Sequence, residues 1–478
     1  MASLISSPLF KFLLISFTFL SFFLNKSYAF EGRKAIESHY HTVEISSLLP
    51  ASVCSSSTEG PSKRPSTLKV FHRRGPCSKH SQDKATPSLY ETLSQDQSRV
   101  DSIQFKINQN VEIDKINDKQ VTLPAQSGQS LGSGNYIVSL GLGTPKKSLS
   151  LVFDTGSDLT WTQCQPCAGS CYTQKDPIFN PTESTSYSNV SCSSTQCSQL
   201  SSTTGNDPRC FNQTCVYTLQ YGDQSFTVGF FSKDTLTISP SDVVPNFYSG
   251  CGQNNKGLFG NTAGILGLGQ DTLSIVSQTV QKYGKYFSYC LPSLSSSSTG
   301  HLTFGNSGVS SNVKFTPFAS SKGTSFYFIN ILGISVGATQ LAISPSVFKT
   351  TGTIIDSGTV ITRLPPAAYS ALRTEFKKQM SKYPSAPPAN SLLDTCYDLS
   401  KYTTITIPKI GFTFDGNVKV DIVASGILYT FDPSQVCLAF AGNSDASDVG
   451  ILGNVQQATL EVVYDVAGGK LGFGPGGC

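Results

Sequence analysis

This sequence of 478 residues predicts a mostly β fold with two duplicated, β-rich lobes and a central cleft. An Asp-hydroxyl-Gly-hydroxyl turn occurs at Asp154–Ser157 and again at Asp356–Thr359, each time directly after a run of apolar residues. A glycine-flanked apolar segment then follows each turn at a similar distance, at Gly264–Gly269 and at Gly450–Asn454. Matching motifs at matching spacings indicate an internal duplication. Charged residues make up only 14% of the chain, which favours a β-rich, loop-rich architecture.

The chain is too long for one compact core, so two lobes or more are expected. We predict a signal peptide over residues 1–29, a prosegment over 30–130, an N-terminal lobe over 131–310 with a cysteine-rich insertion at 164–215, and a C-terminal lobe over 311–478. The lobe boundary falls between a serine-rich connector, residues 291–300, and the strand pattern at residues 326–334. Residues 365–383 carry the one clear helical pattern of the second lobe.

The N-terminus has the pattern of a secretory signal peptide. Lys11 precedes an apolar run from Phe12 to Leu24, and Ser27-Tyr28-Ala29 forms a small-residue cleavage site. A plastid transit peptide is the alternative, because the segment has few acidic residues and many serines. The apolar run falls short of the ~20 residues that span a bilayer, so no membrane anchor is expected.

The predicted prosegment is polar and charged, with a helix-like pattern near Ser88 to Ile107. Lys and Arg outnumber Asp and Glu by 15 to 11 before residue 131 and balance at 20 each afterwards. The basic residues allow two interpretations: one of them occupies the carboxylate cleft until the prosegment is removed, or they form a solvated charged face. DNA binding is a weaker alternative, because the cluster is short and lacks interleaved aromatic residues. The cluster consists of Lys63, Arg64, Lys69, His72, Arg73, Arg74, Lys79 and His80.

Asp154 and Asp356 are the residues best suited to catalysis. Each follows a buried-strand pattern, and a buried carboxylate is costly unless hydroxyls, backbone N–H groups or a shared proton stabilise it. Other chemistries lack their residues, since residues 131–478 contain a single histidine, His301. A histidine metal cluster is therefore excluded, and a Ser-His-Asp arrangement has only one candidate base. Paired carboxylates remain.

Two further motifs accompany the paired turns: Trp161, and the segment Tyr221–Gly229, which reads Tyr-Gly-Asp-Gln-Ser-Phe-Thr-Val-Gly. Together these motifs resemble the pepsin-type aspartic proteases, and within them the plant nepenthesin-like group, close to its apoplastic and chloroplast-nucleoid subgroup. The resemblance covers Gly134 to Cys478. The chain departs from the broad family at Gln224, where glycine is usual, and this affects the turn of the flap hairpin.

The resemblance implies a bilobal pepsin-like fold in which Asp154 and Asp356 form a catalytic dyad. Two such carboxylates share one proton; the ionised member activates a water molecule and the protonated one polarises the scissile carbonyl. The family pattern also gives supporting roles to both turns and to the flap. Thr155 and Ser357 would orient the carboxylates through hydrogen bonds, Ser157 and Thr359 would bond their outer oxygens, and Gly156 and Gly358 would complete the turns. Tyr221 would cover the cleft, with Trp161 receiving the hydrogen bond of its hydroxyl.

Seven cysteines fall within residues 164–215, a region too poor in apolar residues to fold unaided, so disulfides are expected. Zinc bound by Cys164-x2-Cys167 is the competing interpretation. The nepenthesin-like group implies two nested loops in this region. The implied pairs are Cys164–Cys167, Cys171–Cys251, Cys192–Cys215, Cys197–Cys210, Cys290–Cys478 and Cys396–Cys437, with Cys54 and Cys77 left in the prosegment. Asn189 and Asn212 begin glycosylation sequons.

We therefore expect a secreted aspartic endopeptidase, made as a zymogen and cleaved near Lys119 to Gly132. It is expected to act on proteins or peptides as a monomer, without a cofactor, metal, membrane anchor or nucleic acid. The extracellular space or apoplast is the expected location, with the plastid or vacuole as the alternative. Two other function classes stay open: a catalytically weak protein-binding member of the fold, and a DNA-associated one.

Overall fold

The computed structural model describes residues 39–55, 66–81, 88–113, 136–221, 225–257, 259–320 and 325–478. The predicted signal peptide, Lys63, Arg64, Gln224 and the expected processing segment, Lys119 to Gly132, lie outside these residues. Within the described ranges the strands form five sheets, as expected for a mostly β chain.

The strands follow one another along the chain with few helices between them. Those of the predicted prosegment are β1 (Tyr40–Glu44) and β2 (Thr67–His72). Those of the first half are β3 (Tyr136–Leu142), β4 (Lys147–Asp154), β5 (Trp161–Gln163), β6 (Ser188–Asn189), β7 (Arg209–Phe211), β8 (Thr214–Gln220), β9 (Phe226–Ser239), β10 (Asp242–Lys256), β11 (Gly264–Gly267), β12 (Tyr286–Cys290), β13 (Gly300–Phe304) and β14 (Lys314–Pro317). Those of the second half are β15 (Phe328–Ile329), β16 (Ile331–Val336), β17 (Thr339–Gln340), β18 (Thr353–Ile355), β19 (Thr362–Leu364), β20 (Ser385–Ala386), β21 (Cys396–Tyr397), β22 (Thr404–Pro408), β23 (Ile410–Phe414), β24 (Val418–Ile422), β25 (Leu428–Asp432), β26 (Gln435–Leu438), β27 (Phe440–Gly442), β28 (Gly450–Leu452), β29 (Glu461–Asp465) and β30 (Lys470–Gly474).

The largest sheet has 15 strands and takes strands from both halves of the chain. Its order is β14-β30-β29-β12-β13-β2-β3-β4-β11-β5-β10-β9-β8-β7, with β6 paired to β9. The second half adds a five-stranded sheet, β15-β18-β28-β19-β27, and two four-stranded sheets, β17-β16-β23-β24 and β20-β21-β26-β25. The fifth sheet consists of β1 and β22.

The predicted duplication is visible in the strand pairing. β4 ends at Asp154 and lies parallel to β11, with Asp154 opposite Gly267. In the second half β18 lies parallel to β28, with Ile355 opposite Leu452. The apolar residues that precede each Asp are buried, as in strands covered on both faces. Each Asp is therefore delivered to the interior by the same arrangement.

Two helices are long, and both were predicted. The helix expected at residues 365–383 begins after Pro365 and buries one apolar face. The helix expected at residues 88–107 is longer than predicted. The helices are α1 (Leu89–Ile113), α2 (Thr195–Ser198), α3 (Leu200–Thr204), α4 (Ile275–Gln278), α5 (Val280–Tyr283), α6 (Ser346–Lys349), α7 (Pro366–Gln379), α8 (Ala424–Ile427) and α9 (Asn454–Gln457), with 3-10 turns at Ile45–Leu48, Pro181–Glu183 and Asp415–Asn417.

The described part of the predicted prosegment, residues 30–130, is built into the fold. β2 lies between β13 and β3 in the largest sheet, and its Val70 is fully buried. β1 pairs with β22 of the second half. α1 packs Leu93 into one apolar cluster of the second half and Ile103 into another. Removal of the prosegment would therefore uncover sheet edges and apolar surface.

Two of the predicted disulfides are present, Cys290–Cys478 and Cys396–Cys437, and the other four predictions are wrong. β5 runs parallel to β10, and the N–H of Cys164 bonds to Gly252, which places Cys164 beside Cys251 and leaves Cys167 to pair with Cys171. The predicted pairs Cys164–Cys167, Cys171–Cys251, Cys192–Cys215 and Cys197–Cys210 are replaced by Cys164–Cys251, Cys167–Cys171, Cys192–Cys210 and Cys197–Cys215.

The two loops of the insertion consequently overlap, whereas nested loops were predicted. Buried Cys197 pairs with buried Cys215, and the more exposed Cys192 pairs with exposed Cys210. Spacing along the chain does not reveal this difference in burial. Cys54 and Cys77 pair with each other in the predicted prosegment.

Both cysteines of the zinc interpretation are thus in disulfides, and the described ranges contain no cluster of His, Cys, Asp and Glu suited to a metal ion. Over the same ranges, no helix is both long enough and apolar enough to cross a membrane.

Candidate active site

Asp154 and Asp356 lie together, although they come from different halves of the chain. Their side chains are buried, at 1% and 0% exposure. One nitrogen, Arg99 Nη2, lies 2.6 Å from Asp154 Oδ1 and 2.9 Å from Asp356 Oδ1. The two carboxylates are thus close enough to act on one small group held between them.

Each carboxylate is held by the turn that follows it. Gly156 N donates to Asp154 Oδ1 at 3.0 Å, and Gly358 N donates to Asp356 Oδ1 at 3.0 Å. A Cβ at Gly156 would lie 2.8 Å from Asp356 Oδ1, and one at Gly358 would lie 2.6 Å from Asp154 Oδ1. Glycine is required at both places because each turn passes directly against the opposite carboxylate.

Thr155 and Ser357 do not bond the carboxylates as predicted. Instead they bond each other: Thr155 N donates to Ser357 Oγ at 3.1 Å, and Ser357 N donates to Thr155 Oγ1 at 2.9 Å. This reciprocal pair ties the two turns together across the pseudo-symmetric interface. It fixes the separation of the carboxylates without using any of their oxygens.

The outer oxygens of the two carboxylates have different hydrogen-bond donors. Thr359 Oγ1 donates to Asp356 Oδ2 at 2.5 Å, as predicted. Ser157 was expected to do the same for Asp154, but its Oγ is buried without a hydrogen-bond partner in the described part of the chain. Both oxygens of Asp154 accept hydrogen bonds from Arg99 instead.

Tyr221 stands at the end of β8, where the hairpin to β9 begins. Trp161 Nε1 donates to its hydroxyl oxygen at 2.8 Å. The predicted pair exists, but the predicted direction was wrong, because an indole N–H can only donate. Burial raises the pKa of Tyr221 well above its usual value, which keeps the phenol neutral. The departure at Gln224 lies outside the described residues.

Arg99, on α1 of the predicted prosegment, bridges both carboxylates. Besides the two Nη2 contacts, its Nε donates to Asp356 Oδ2 at 2.9 Å and its Nη1 to Asp154 Oδ2 at 3.3 Å. Burial lowers the pKa of Arg99, but the charges of both carboxylates outweigh it and raise the pKa overall. Burial on its own would raise the pKa of Asp356. The charge of Arg99 and the hydrogen bonds from Arg99, Thr359 and Gly358 outweigh burial and hold this pKa below its usual value. Arg99 on α1 therefore stabilises the ionised form of Asp356.

The cation in the cleft is not a member of the predicted basic cluster, so that interpretation was wrong about which residue reaches the carboxylates. In the described part of the cluster, Lys79 pairs with Asp176, and Arg73 is buried against Gly260. A usable sign was present in the sequence: Arg99 and Lys106 are the only cations between residues 88 and 107. A helix with only two cations in this range offers few candidates to reach a carboxylate.

Asp96 and Arg363 form a second, fully buried ion pair that the sequence did not suggest. Asp96 lies one helical turn before Arg99, and Arg363 lies on β19. Arg363 Nη2 is 3.1 Å from Asp96 Oδ2, and the two side chains are 0% and 1% exposed. Val360 N and Ile361 N also donate to the carboxylate of Asp96, at 2.6 and 3.1 Å.

Comparisons with known proteins agree with this architecture. Residues 136–306 match the family described as Xylanase inhibitor N-terminal, and residues 326–475 match the one described as Xylanase inhibitor C-terminal. An aspartyl protease family protein of Arabidopsis thaliana is 57% identical over 94% of this chain and 95% of its own length. Aspartic proteinase nepenthesin-2 of Nepenthes gracilis is 40% identical over 73% of this chain and 78% of its own length.

Solved structures share the fold at lower identity. Basic 7S globulin from soybean superposes with a TM-score of 0.56 at 22% identity, covering 71% of this chain and 91% of the globulin. Conglutin gamma from lupine seeds gives the same TM-score, identity and coverage, 0.56, 22%, 71% and 91%. At such identity the likeness concerns the fold alone.

Proposed function

The chain belongs to the plant pepsin-type aspartic proteases and is an aspartic-type endopeptidase, and we propose that Asp154 and Asp356 are its catalytic dyad and that Arg99 keeps the full chain inactive. One observation carries the proposal: a single guanidinium bonds both buried carboxylates. Arg99 fills the space that a catalytic water needs. Neither carboxylate is free to share a proton or to activate water while Arg99 is in place.

Departure of α1 converts this ion-paired site into a catalytic one. Without Arg99, two adjacent carboxylates cannot both stay ionised, so they share one proton. The ionised member takes a proton from a water molecule between them as the water oxygen adds to the scissile carbonyl carbon, and the protonated member gives its proton to the carbonyl oxygen. When the C–N bond then breaks, the leaving nitrogen takes the proton held by the first carboxylate, and the second carboxylate recovers a proton from the tetrahedral intermediate as the C=O bond re-forms. Thr155 and Ser357 hold the spacing, and Tyr221 covers the substrate and excludes bulk water.

The other function classes fit the site less well. The matched families carry the description of a xylanase inhibitor, and a binding protein of that kind needs no dyad. A cation aimed at two intact carboxylates supports an enzyme that must be restrained until processing. The role of a DNA-associated protein rests on the basic cluster alone, of which Arg73 is buried and Lys79 is paired.

We further propose that the protein follows the secretory route and is cleaved near Lys119 to Gly132. Seven disulfides in the structure support an oxidising compartment. Asn189 and Asn212, the two predicted glycosylation sites, are both exposed. The apoplast is the location that these features favour.

The direct test is digestion of a denatured protein by the chain after removal of the prosegment. We expect cleavage at acidic pH that pepstatin blocks, because pepstatin resembles the tetrahedral transition state that a carboxylate dyad stabilises. The assay is run with and without pepstatin at several acidic pH values. Cleavage that pepstatin does not inhibit, or that a thiol reagent or a metal-binding reagent abolishes, would contradict the assignment of the dyad.

In the full chain, acid is expected to weaken the ion pairs between Arg99 and the two carboxylates. Arg99 holds the pKa of Asp356 below its usual value while α1 is docked, whereas in the open cleft the two carboxylates share one proton. The docking free energy is therefore fully present above the pKa of that shared proton and is lost as pH falls through the lowered value. Asp96 acts in the opposite sense, because burial raises its pKa, so its protonation does not drive release. We therefore expect release below about pH 4.

Trp161 is the only tryptophan in the chain and donates a hydrogen bond to Tyr221 beside the cleft. Its fluorescence therefore reports the release of α1 from the cleft. The measurement is a rapid pH titration of the intact chain, with gels confirming that cleavage has not occurred. Arg99→Gln is the control, since it lacks the charge that lowers the pKa of Asp356 and should lose the acid transition. An identical transition in wild type and Arg99→Gln would refute the mechanism.

A further inference from the structure

We propose that Arg363, with the N–H groups of Val360 and Ile361, forms a carboxylate-binding subsite in the open cleft, which selects substrates with Asp or Glu near the scissile bond. This inference rests on the proposed dyad, because the subsite matters only if substrates bind across Asp154 and Asp356. In the full chain the subsite is occupied by the side chain of Asp96.

The first step of the argument is that α1 occupies the place of a substrate. Arg99 reaches the two carboxylates, and on either side of it the helix inserts apolar residues into clusters of the second half of the chain. Leu93 packs among residues that include Ile361 and Tyr429, whereas Val100 and Ile103 pack among residues that include Phe326 and Phe328. These two clusters flank the dyad and lose their cover when the helix leaves.

The second step is that the receptor for Asp96 is complete and belongs entirely to the protease unit. Its three donors all come from the segment Val360–Arg363, only a few residues after Asp356. Two backbone N–H groups and a guanidinium together satisfy both oxygens of a carboxylate. The strand that presents them is fixed, because Thr362 N and Oγ1 both donate to Gln456 Oε1, at 3.1 and 2.6 Å.

The third step is that Arg363 depends on the prosegment for its charged partner. Its Nη1 donates to Ile361 O, two residues earlier in the chain, at 2.7 Å. Its Nη2 contacts Asp96 and also donates to Gln97 Oε1 at 3.2 Å, and both of those residues are on α1. The Nε is buried without a hydrogen-bond partner in the described residues. When α1 departs, the guanidinium keeps its charge and loses its counter-ion at the edge of the cleft.

The position of the preferred acid follows from helix geometry. Asp96 precedes Arg99 by three residues, which is about 4.5 Å along a helix axis. An extended substrate advances ~3.3 Å per residue, so the subsite takes a side chain roughly one to three residues from the scissile bond. It lies on the side of the cleft that contains β19. The adjoining apolar cluster favours apolar neighbours for that acid.

The test uses the processed protease and peptides that are capped at both ends, so that only a side chain supplies the carboxylate. The peptides differ at one position at a time, carrying Asp, Glu, Asn, Gln or Lys, at every position near the scissile bond. We expect one position at which Asp or Glu raises kcat/KM about tenfold over Asn or Gln. The gain should appear mainly in KM, because the subsite binds substrate and transition state alike.

Arg363→Gln is expected to bring the ratio of kcat/KM for acidic over neutral peptides close to one, and Arg363→Lys is expected to keep part of the preference. Arg363→Glu is expected to reverse the preference, so that peptides with Lys at that position are cleaved best. Arg373→Gln is the matched control, since Arg373 is a half-exposed cation on α7 paired with Asp394. Because Arg363→Gln leaves Asp96 buried and unpaired during folding, the double variant Arg363→Gln with Asp96→Asn provides a neutral pair of similar shape.

The outcomes separate the two proposals. Cleavage of neutral peptides without an acidic preference above about twofold at any position would overturn the subsite and leave the dyad standing. A preference that survives Arg363→Gln would also overturn it. Failure to cleave any peptide, neutral or acidic, would overturn the dyad and with it the subsite.

Discussion

Asp154→Asn and Asp356→Asn will each lower the kcat/KM of the processed protease by at least about a hundredfold, while the protein stays folded. Asparagine keeps the shape of the carboxylate and the acceptor for Gly156 N or Gly358 N. It holds no shareable proton and cannot act as a base. The dyad then has one ionisable member, and either the activation of water or the polarisation of the carbonyl is lost.

The measurement is kcat/KM on a quenched peptide, together with circular dichroism and thermal unfolding of each variant. Asp234→Asn is a matched control, because Asp234 is also buried and its hydrogen bonds in the described residues do not involve the dyad. Its Oδ1 accepts from Ser184, Ser186 and Thr235 N, whereas its Oδ2 has no partner in the described residues. Asparagine can keep all three bonds, so activity should stay within severalfold of wild type. More than a few per cent of activity in either folded dyad variant would refute the assignment.

The residues that sequence could identify are those whose neighbours along the chain carry the information. Asp154 and Asp356 stand out because each turn repeats the same residue types after the same apolar pattern, and the local pattern determines a local structure. The helix near residues 88–107 was found for the same reason, since its apolar residues recur at helical spacing. The strand pair that includes Gly264–Gly267 was likewise indicated by its match with Gly450–Leu452.

What sequence did not reveal depends on which distant segments meet. In the four wrong predictions every cysteine does form a disulfide, but with a different partner. Strand direction and burial determine the partner, as at Cys164 and Cys251. Arg99 was missed because the basic residues are densest at residues 63–80, whereas the contact with the two carboxylates depends on where a single cation lies along a helix. The pair of Asp96 and Arg363 is separated by most of the chain, and no local pattern links the two residues.

Arg99→Gln will switch on the intact full chain at a pH where the wild-type full chain is silent. In the docked state, removal of the guanidinium leaves two buried carboxylates with no cation, and breaking a buried ion pair in this way costs on the order of 3 kcal/mol. That cost raises the population of chains with an open cleft by about a hundredfold. Arg99→Lys should have a smaller effect, because one ammonium retains the charge but cannot form all four bonds.

Activity is measured on a short peptide at mildly acidic pH, with gels showing that the prosegment is still attached. Lys106→Gln is the control on the same helix: its Nζ lies 5.4 Å from the ring centre of Phe326, and its loss removes a charge without opening the dyad. Combining Arg99→Gln with Asp154→Asn should abolish the new activity, which ties it to the dyad. An Arg99→Gln chain as silent as wild type, but active once trimmed, would show that α1 blocks the cleft by packing of Leu93 and Ile103 alone, and that the ion pairs of Arg99 are dispensable for inhibition.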